Sequence, residues 1–250
     1  VFAYWRRAED PQAGGPDWLA IAIFFVIACA WSWAAARWGA VRLPGGKAAP
    51  IIDGTVLIGF GPVMGALIAD VLRPMQRAGR AGFLGKSRLW ALVALAAPPA
   101  CLAATGIGVF HVNPHLDAFT IGLSMIVYCI GEELGWREWL YNALGGIALW
   151  RGALVTWLLC FAWHWTFLWP SLIVPSAAAI FAGVLLVGSF ALAAATRRTR
   201  SSAIAAGWHT AAKALGSPAQ IPMIILLLLA TWLAGDWGVP RALRFGRKGE

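Results

Sequence analysis

The sequence predicts an all-α, polytopic membrane protein of about eight transmembrane helices. Composition is the first reason: of 250 residues, 60% are hydrophobic and only 12% charged. Mean hydropathy is +0.70, a balance that selects lipid as the solvent. Run length is the second reason, because a helix needs about 20 apolar residues to cross roughly 30 Å of hydrocarbon. Such runs fall near 18–37, 51–72, 89–110, 118–143, 152–169, 172–196, 201–216 and 220–238. They are continuous rather than alternating, which argues against a closed β-barrel. No linker, repeat or low-complexity tract divides them, so a single membrane domain over residues 1–250 is expected.

Charge placement is the third reason, since Lys and Arg accumulate in short cytoplasmic loops. With eight spans and both the N- and C-termini cytoplasmic, fifteen cations fall inside, among them Arg73, Lys86, Arg88, Arg151, Arg197, Arg198 and Arg200. Only Arg37, Arg42 and Lys47 fall outside. The net charge of +9 then reads as contact with anionic lipid head groups on the cytoplasmic side. Nucleic acid is excluded as a partner, because no soluble domain gathers the charge. Trp18, Trp38, Trp90, Trp150, Trp169 and Trp237 lie near span ends, where indole rings anchor at the lipid boundary. The first run is read as a span rather than a cleaved signal, being long and preceded by Glu9 and Asp10. Cys29, Cys101, Cys129 and Cys160 lie in apolar runs without metal-type spacing and read as small buried hydrophobes.

Against this background the run Glu132-Glu133-Leu134-Gly135-Trp136-Arg137 stands out. Ionisable residues are expensive within a span and mark function by default. Glu133 and Arg137 are four apart on one helical face, acid before base. Glu132 is rotated about 100° from Glu133, so it need not share that ion pair and can face a different cavity wall. Burial in apolar surroundings is the tuning a general acid or base needs. The bland alternative is a buried ion cluster locking two helices, yet paired ions gain little over apolar packing. His164 and His209 also lie in apolar runs, and either alone reads as an interhelical hydrogen-bonding residue. Depth ties them to the acids: Glu132, His164 and His209 are 12, 13 and 9 residues in from Leu144, Arg151 and Arg200, roughly 14 to 20 Å at 1.5 Å per residue. All can meet at one level if the fourth helix continues to about Leu144. His111 and His115, flanking Asn113-Pro114, read as outer-loop residues.

Together these residues resemble the CPBP intramembrane proteases, whose eukaryotic relatives are the type II CAAX prenyl endopeptidases. The Glu-Glu-x-x-x-Arg motif of that family is matched by Glu132, Glu133 and Arg137. Its Phe-x-x-x-His motif is matched at His164, with Cys160 in the aromatic position, and its His-x-x-x-Asn/Asp motif at His209, with Lys213 at the far end. The resemblance covers residues 118–216 as catalytic core helices. It implies an intramembrane endopeptidase acting on a membrane-associated peptide or protein, a prenylated CAAX-type one in the relatives. It further implies that Glu132 activates water with help from His164, that Glu133 and Arg137 hold the local field, and that His209 stabilises the oxyanion. Lys213 has three readings: an oxyanion donor, a partner of the acids, or a cavity residue without a role. If it pairs with the acids, a non-catalytic membrane binder or bacteriocin-immunity protein of the same fold becomes the alternative. Intramembrane acids and imidazoles also build proton-coupled transporters. His164, His209 and one glutamate could supply three zinc ligands with water as the fourth. A metal-free glutamate mechanism uses the same residues, so the cofactor stays open. Trp136, Phe161, Trp163, Trp165 and Trp208 either line a prenyl groove or pack helices.

Overall fold

The computed structural model describes residues 15–38, 54–74, 81–107, 113–145 and 147–235. The helices are α1 (Trp18–Trp38), α2 (Gly54–Gly59), α3 (Gly61–Leu72), α4 (Arg88–Thr105), α5 (Pro114–Glu133), a π-helical stretch (Leu134–Trp139) continuing into α6 (Leu140–Ala143), α7 (Leu149–Leu172), α8 (Pro175–Thr199), α9 (Ser202–Lys213) and α10 (Gln220–Ala234). The all-α membrane class holds. Among the described residues five segments are long and apolar enough to cross a bilayer: Trp18–Arg37, Arg88–Thr105, Pro114–Ala143, Leu149–Leu172 and Pro175–Thr199. Large apolar side chains face outward, as with Val71, Ile180 and Ile221, each at least 70% exposed, the inverse of a water-soluble surface.

Among the described residues, two of the eight expected runs form something other than one long helix. The run at 51–72 is broken at Phe60 into α2 and α3, with glycines on both sides of the break and Pro62 at the start of α3, where proline costs no hydrogen bond. The run at 201–216 forms only the 12-residue α9, about 18 Å long and too short for the full hydrocarbon thickness. It ends at Lys213 before Gly216, whose φ of 82° is a conformation that glycine adopts without strain. Of the run at 220–238 the described residues form the 15-residue α10, and 236–238 lie outside them. Apolar run length alone reports burial in an apolar medium, which a broken or partial helix inside a bundle satisfies equally well. The fourth run does continue as one helical path from Pro114 to Ala143. His115 falls in the first turn of α5 rather than in a loop, and His111 lies outside the described residues.

Local chemistry sets the helix starts. Asn113 caps α5, its side chain accepting hydrogen bonds from the His115 and Leu116 amides, and Ser201 caps α9 by accepting from the Ile204 amide. Asp17 caps α1, accepting from the Ala20 amide at 3.0 Å and from the Arg73 side chain at 3.0 Å. Arg200, in the left-handed region at φ 54°, turns α8 sharply into α9.

The helix order and loop contacts sort the charges. The Asp17 amide donates to the Ala143 carbonyl at 3.0 Å, and Lys86 donates through its amide to Thr199 at 3.1 Å. Ser202 donates to Glu138 at 2.9 Å. These contacts gather Arg73, Lys86, Arg88, Arg151, Arg197, Arg198 and Arg200 at one end of the bundle, with Arg37 at the other. Around α5 the bundle is dense: α4 packs along it, α2 and α3 meet it at their break, and α9 crosses it.

Candidate active site

The acidic doublet sits where α5 passes into the π-helical stretch. An extra residue in a turn rotates everything after it, a device that recurs at functional sites. Glycine brings this segment close to its neighbours. A Cβ on Gly131 would lie 2.6 Å from the Gly59 carbonyl oxygen, and one on Gly135 would clash with Pro62. The helix is therefore pressed against the α2/α3 break, and Glu132 and Glu133 are both fully buried.

The two carboxylates play different parts. Glu133 accepts from Arg137 at 3.2 Å through Nη1, and its second oxygen lies 3.2 Å from Nε. Its Oε1 also takes a hydrogen bond from Nδ1 of His209 at 2.8 Å. Glu133 is thus held through Oε1 by one guanidinium and one imidazole, while its Oε2 has the ion-pair contact with Nε but no donor in regular hydrogen-bond geometry. Both oxygens of Glu132 lack a donor in regular hydrogen-bond geometry. His209 approaches to 3.9 Å, and Tyr128 lies one turn earlier on α5.

His164 projects from α7 beside this pair. Its Nδ1 lies 2.8 Å from the Cys160 carbonyl and 3.6 Å from the Cys160 sulfur. A carbonyl only accepts, so Nδ1 carries the proton and Nε2 keeps a lone pair in the neutral ring. The neighbouring Trp163 fixes the rotation of α7 by donating to Ser32 of α1 at 2.9 Å, and its ring packs edge-on against Trp136.

His164, His209, Arg137, Tyr128 and Lys213 line one cavity of about 810 Å³. Its remaining wall is largely apolar, with Phe167, Phe181, Leu185 and Trp208 among the lining side chains. The volume falls within the roughly 300–1,000 Å³ of ordinary small-molecule sites. Glu132 and Glu133 do not line it themselves, but each lies close to a histidine that does. The Lys213 ammonium rests 3.6 Å from the centroid of the Tyr128 ring.

All five candidate residues named from the sequence are therefore brought together. Of the aromatics suggested as a groove lining, Trp208 lines the cavity, whereas Trp136 and Trp163 are fully buried core. Sequence reasoning missed Tyr128, Phe167 and Phe181. Tyr128 was the findable one, because it lies four residues before Glu132 on the same helical face. Cys160, read as a small buried hydrophobe, is buried and also touches the His164 imidazole.

Two donor sets have the spacing of a cation site, with ligand atoms within 4.8 Å of one another: Glu132 with Cys160 and His164, and Glu132 with Glu133 and His209. The donor types suit zinc. In the second set the Glu133 oxygen and His209 Nδ1 are already hydrogen-bonded to each other, so that pair would have to separate to bind an ion.

Residues 114–215 match the family model described as type II CAAX prenyl endopeptidase Rce1-like. No curated protein and no solved structure matches the chain.

Proposed function

From the match of residues 114–215 to the type II CAAX prenyl endopeptidase Rce1-like family model, we propose that this chain is an intramembrane endopeptidase of that kind using a glutamate-activated water. One observation carries the reading. Glu132 is a fully buried carboxylate without a regular donor, its oxygens within 4.8 Å of donor atoms on both His164 and His209, beside a mostly apolar cavity.

In this reading a water entering from the cavity is held between Glu132 and the Nε2 lone pair of His164. Glu132 takes its proton as the oxygen attacks the peptide carbonyl, and returns it to the leaving nitrogen as the C–N bond breaks. His209 serves the developing negative oxygen. Its Nδ1 proton is committed to Glu133, so Nε2 becomes a donor only in the doubly protonated ring, which Glu133 is placed to stabilise. Glu133 and Arg137 act as positioning residues, holding His209 and the surrounding field. A zinc ion held by Glu132 and either imidazole would supply a polarised water; the steps above use the side chains alone.

Substrate and orientation follow from the surroundings. The apolar wall suits a lipid-bearing or prenylated peptide whose chain lies alongside Phe167 and Phe181. The Arg-rich end faces the cytoplasm by the positive-inside rule, which makes both termini cytoplasmic and opens the site to substrates from that side.

The test is Glu132→Gln in reconstituted liposomes presenting a farnesylated peptide. Hydrolysis should fall by about 10²-fold or more, the usual scale of a lost general base, while binding of the peptide persists. Cleavage continuing at the parental rate refutes the mechanism. Absence of cleavage in the parent, with binding retained, would favour the non-catalytic binder.

A further inference from the structure

The position of Lys213 is not explained by the peptidase reading as it stands. The residue ends α9 one turn beyond His209, and both side chains line the same cavity. Of the two cations in that wall nearest the acids, Arg137 is 3% exposed and engaged by Glu133 through both carboxylate oxygens. Lys213 is exposed and acts on Glu132 only at longer range, with no carboxylate of the described residues in a direct ion pair with it. Its contact is the face of the buried Tyr128 ring. An aromatic face attracts a cation without accepting its N–H bonds in the way an anion does, so the ammonium is held in place with donor capacity to spare.

Depth narrows the anion that could use it. α9 begins at Ser202, near the Arg-rich end. Eleven residues on, Lys213 lies about 17 Å inward at 1.5 Å per residue, near the middle of a hydrocarbon layer about 30 Å thick. Lipid phosphates stay at the surface. A peptide drawn into the cavity can carry its own carboxylate to that depth.

Spacing then separates this role from the chemistry at the acids. His209 contacts Glu133 directly, whereas Lys213 is one turn further along, about 6 Å by helical rise. An extended chain covers about 3.3–3.6 Å per residue, so 6 Å is roughly two residues beyond a carbonyl held at His209, and the lysine's own reach adds to that.

The geometry points to Lys213 as a specificity-determining residue that binds the free C-terminal carboxylate of the substrate and so confines cleavage to a short distance from the chain end. This rests on the peptidase reading for the position of the cut, but not for the carboxylate contact, which can be measured by binding alone.

The experiment uses the full chain in detergent micelles and two short S-farnesylated peptides labelled at the amino end, one with a free C-terminal carboxylate and one with a carboxamide. Fluorescence anisotropy should show the acid bound about tenfold tighter than the amide, the scale of one charge-assisted contact. Lys213→Met should bring the acid to the affinity of the amide, and Lys213→Arg should keep the preference. Equal binding of acid and amide by the parent protein overturns the proposal, and that comparison needs no variant to fold. So does an acid preference that survives in Lys213→Met. If the variant instead slows cleavage of both peptides equally with binding unchanged, Lys213 serves the oxyanion and the carboxylate assignment fails. Parent protein that prefers the acid yet cleaves neither peptide would refute the peptidase reading and leave the Lys213 contact standing.

Discussion

Arg137→Met isolates what the motif arginine does for the fold. Arg137 and Glu133 are 3% and 0% exposed and meet in two contacts of 3.2 Å. Removing one member of a buried pair strands the other charge, at a cost of about 3–5 kcal/mol. His209 still donates to Glu133 at 2.8 Å, which offsets part of the loss and places the expectation near the lower end, about 3 kcal/mol. Adding Glu133→Gln removes the stranded charge while keeping an acceptor for His209. The double variant should therefore recover most of the deficit, with a coupling of about 1–3 kcal/mol between the sites. Equilibrium unfolding in mixed micelles, followed by tryptophan fluorescence, measures all four proteins of the cycle. A single variant within about 1 kcal/mol of the parent would refute the buried-pair account. A double variant as unstable as the sum of the two singles would do so equally.

Close packing at the α2/α3 break gives a second expectation. Gly131→Ala forces a Cβ to within 2.6 Å of the Gly59 carbonyl oxygen and should cost about 1–3 kcal/mol in the same assay. Gly188→Ala is its control, because nothing lies within 4 Å of the added carbon; as a helical glycine it should be neutral or slightly stabilised. Acid stability can be read at Asp17, at the entry to α1. Hydrogen bonding from the Ala20 amide, and then from Arg73, holds its carboxyl below the ordinary 3.8. The folded state thus favours the ionised form, so the contribution is present above 3.8 and is lost as the pH falls through the lower folded value. Asp17→Asn, which still caps the helix, should remove that part of the fall in Tm; an unchanged Tm profile below about pH 4 would contradict the assignment.

Among the site residues, legibility followed sequence distance. Glu133 and Arg137 are four apart on one helix, so their pairing is a local geometric consequence and was visible at once. His164 and His209 could be matched in depth because rise per residue is constant. Their rotation about the helix axes could not. Nothing in the sequence says that His209 bonds to Glu133 at 2.8 Å and stands 3.9 Å from Glu132. The three readings of Lys213 likewise needed the ring of Tyr128 to be seen beneath its ammonium. The α9 run forms a helix shorter than the sequence reading expects, because hydropathy cannot distinguish lipid from the interior of a bundle.

By itself, the sequence determined the solvent, the helical class, the asymmetric charge of the two ends and the identity of the chemical groups within the apolar layer. These are sums over composition, run length and period, which need no knowledge of how helices pack. Only the tertiary structure decided that one carboxylate takes a guanidinium and an imidazole while its neighbour is left without a regular donor, that α2 and α3 break where α5 presses in, and that an apolar cavity ends at two imidazoles. Those outcomes depend on helix rotation and crossing, which are set by side chains from distant segments packing against one another.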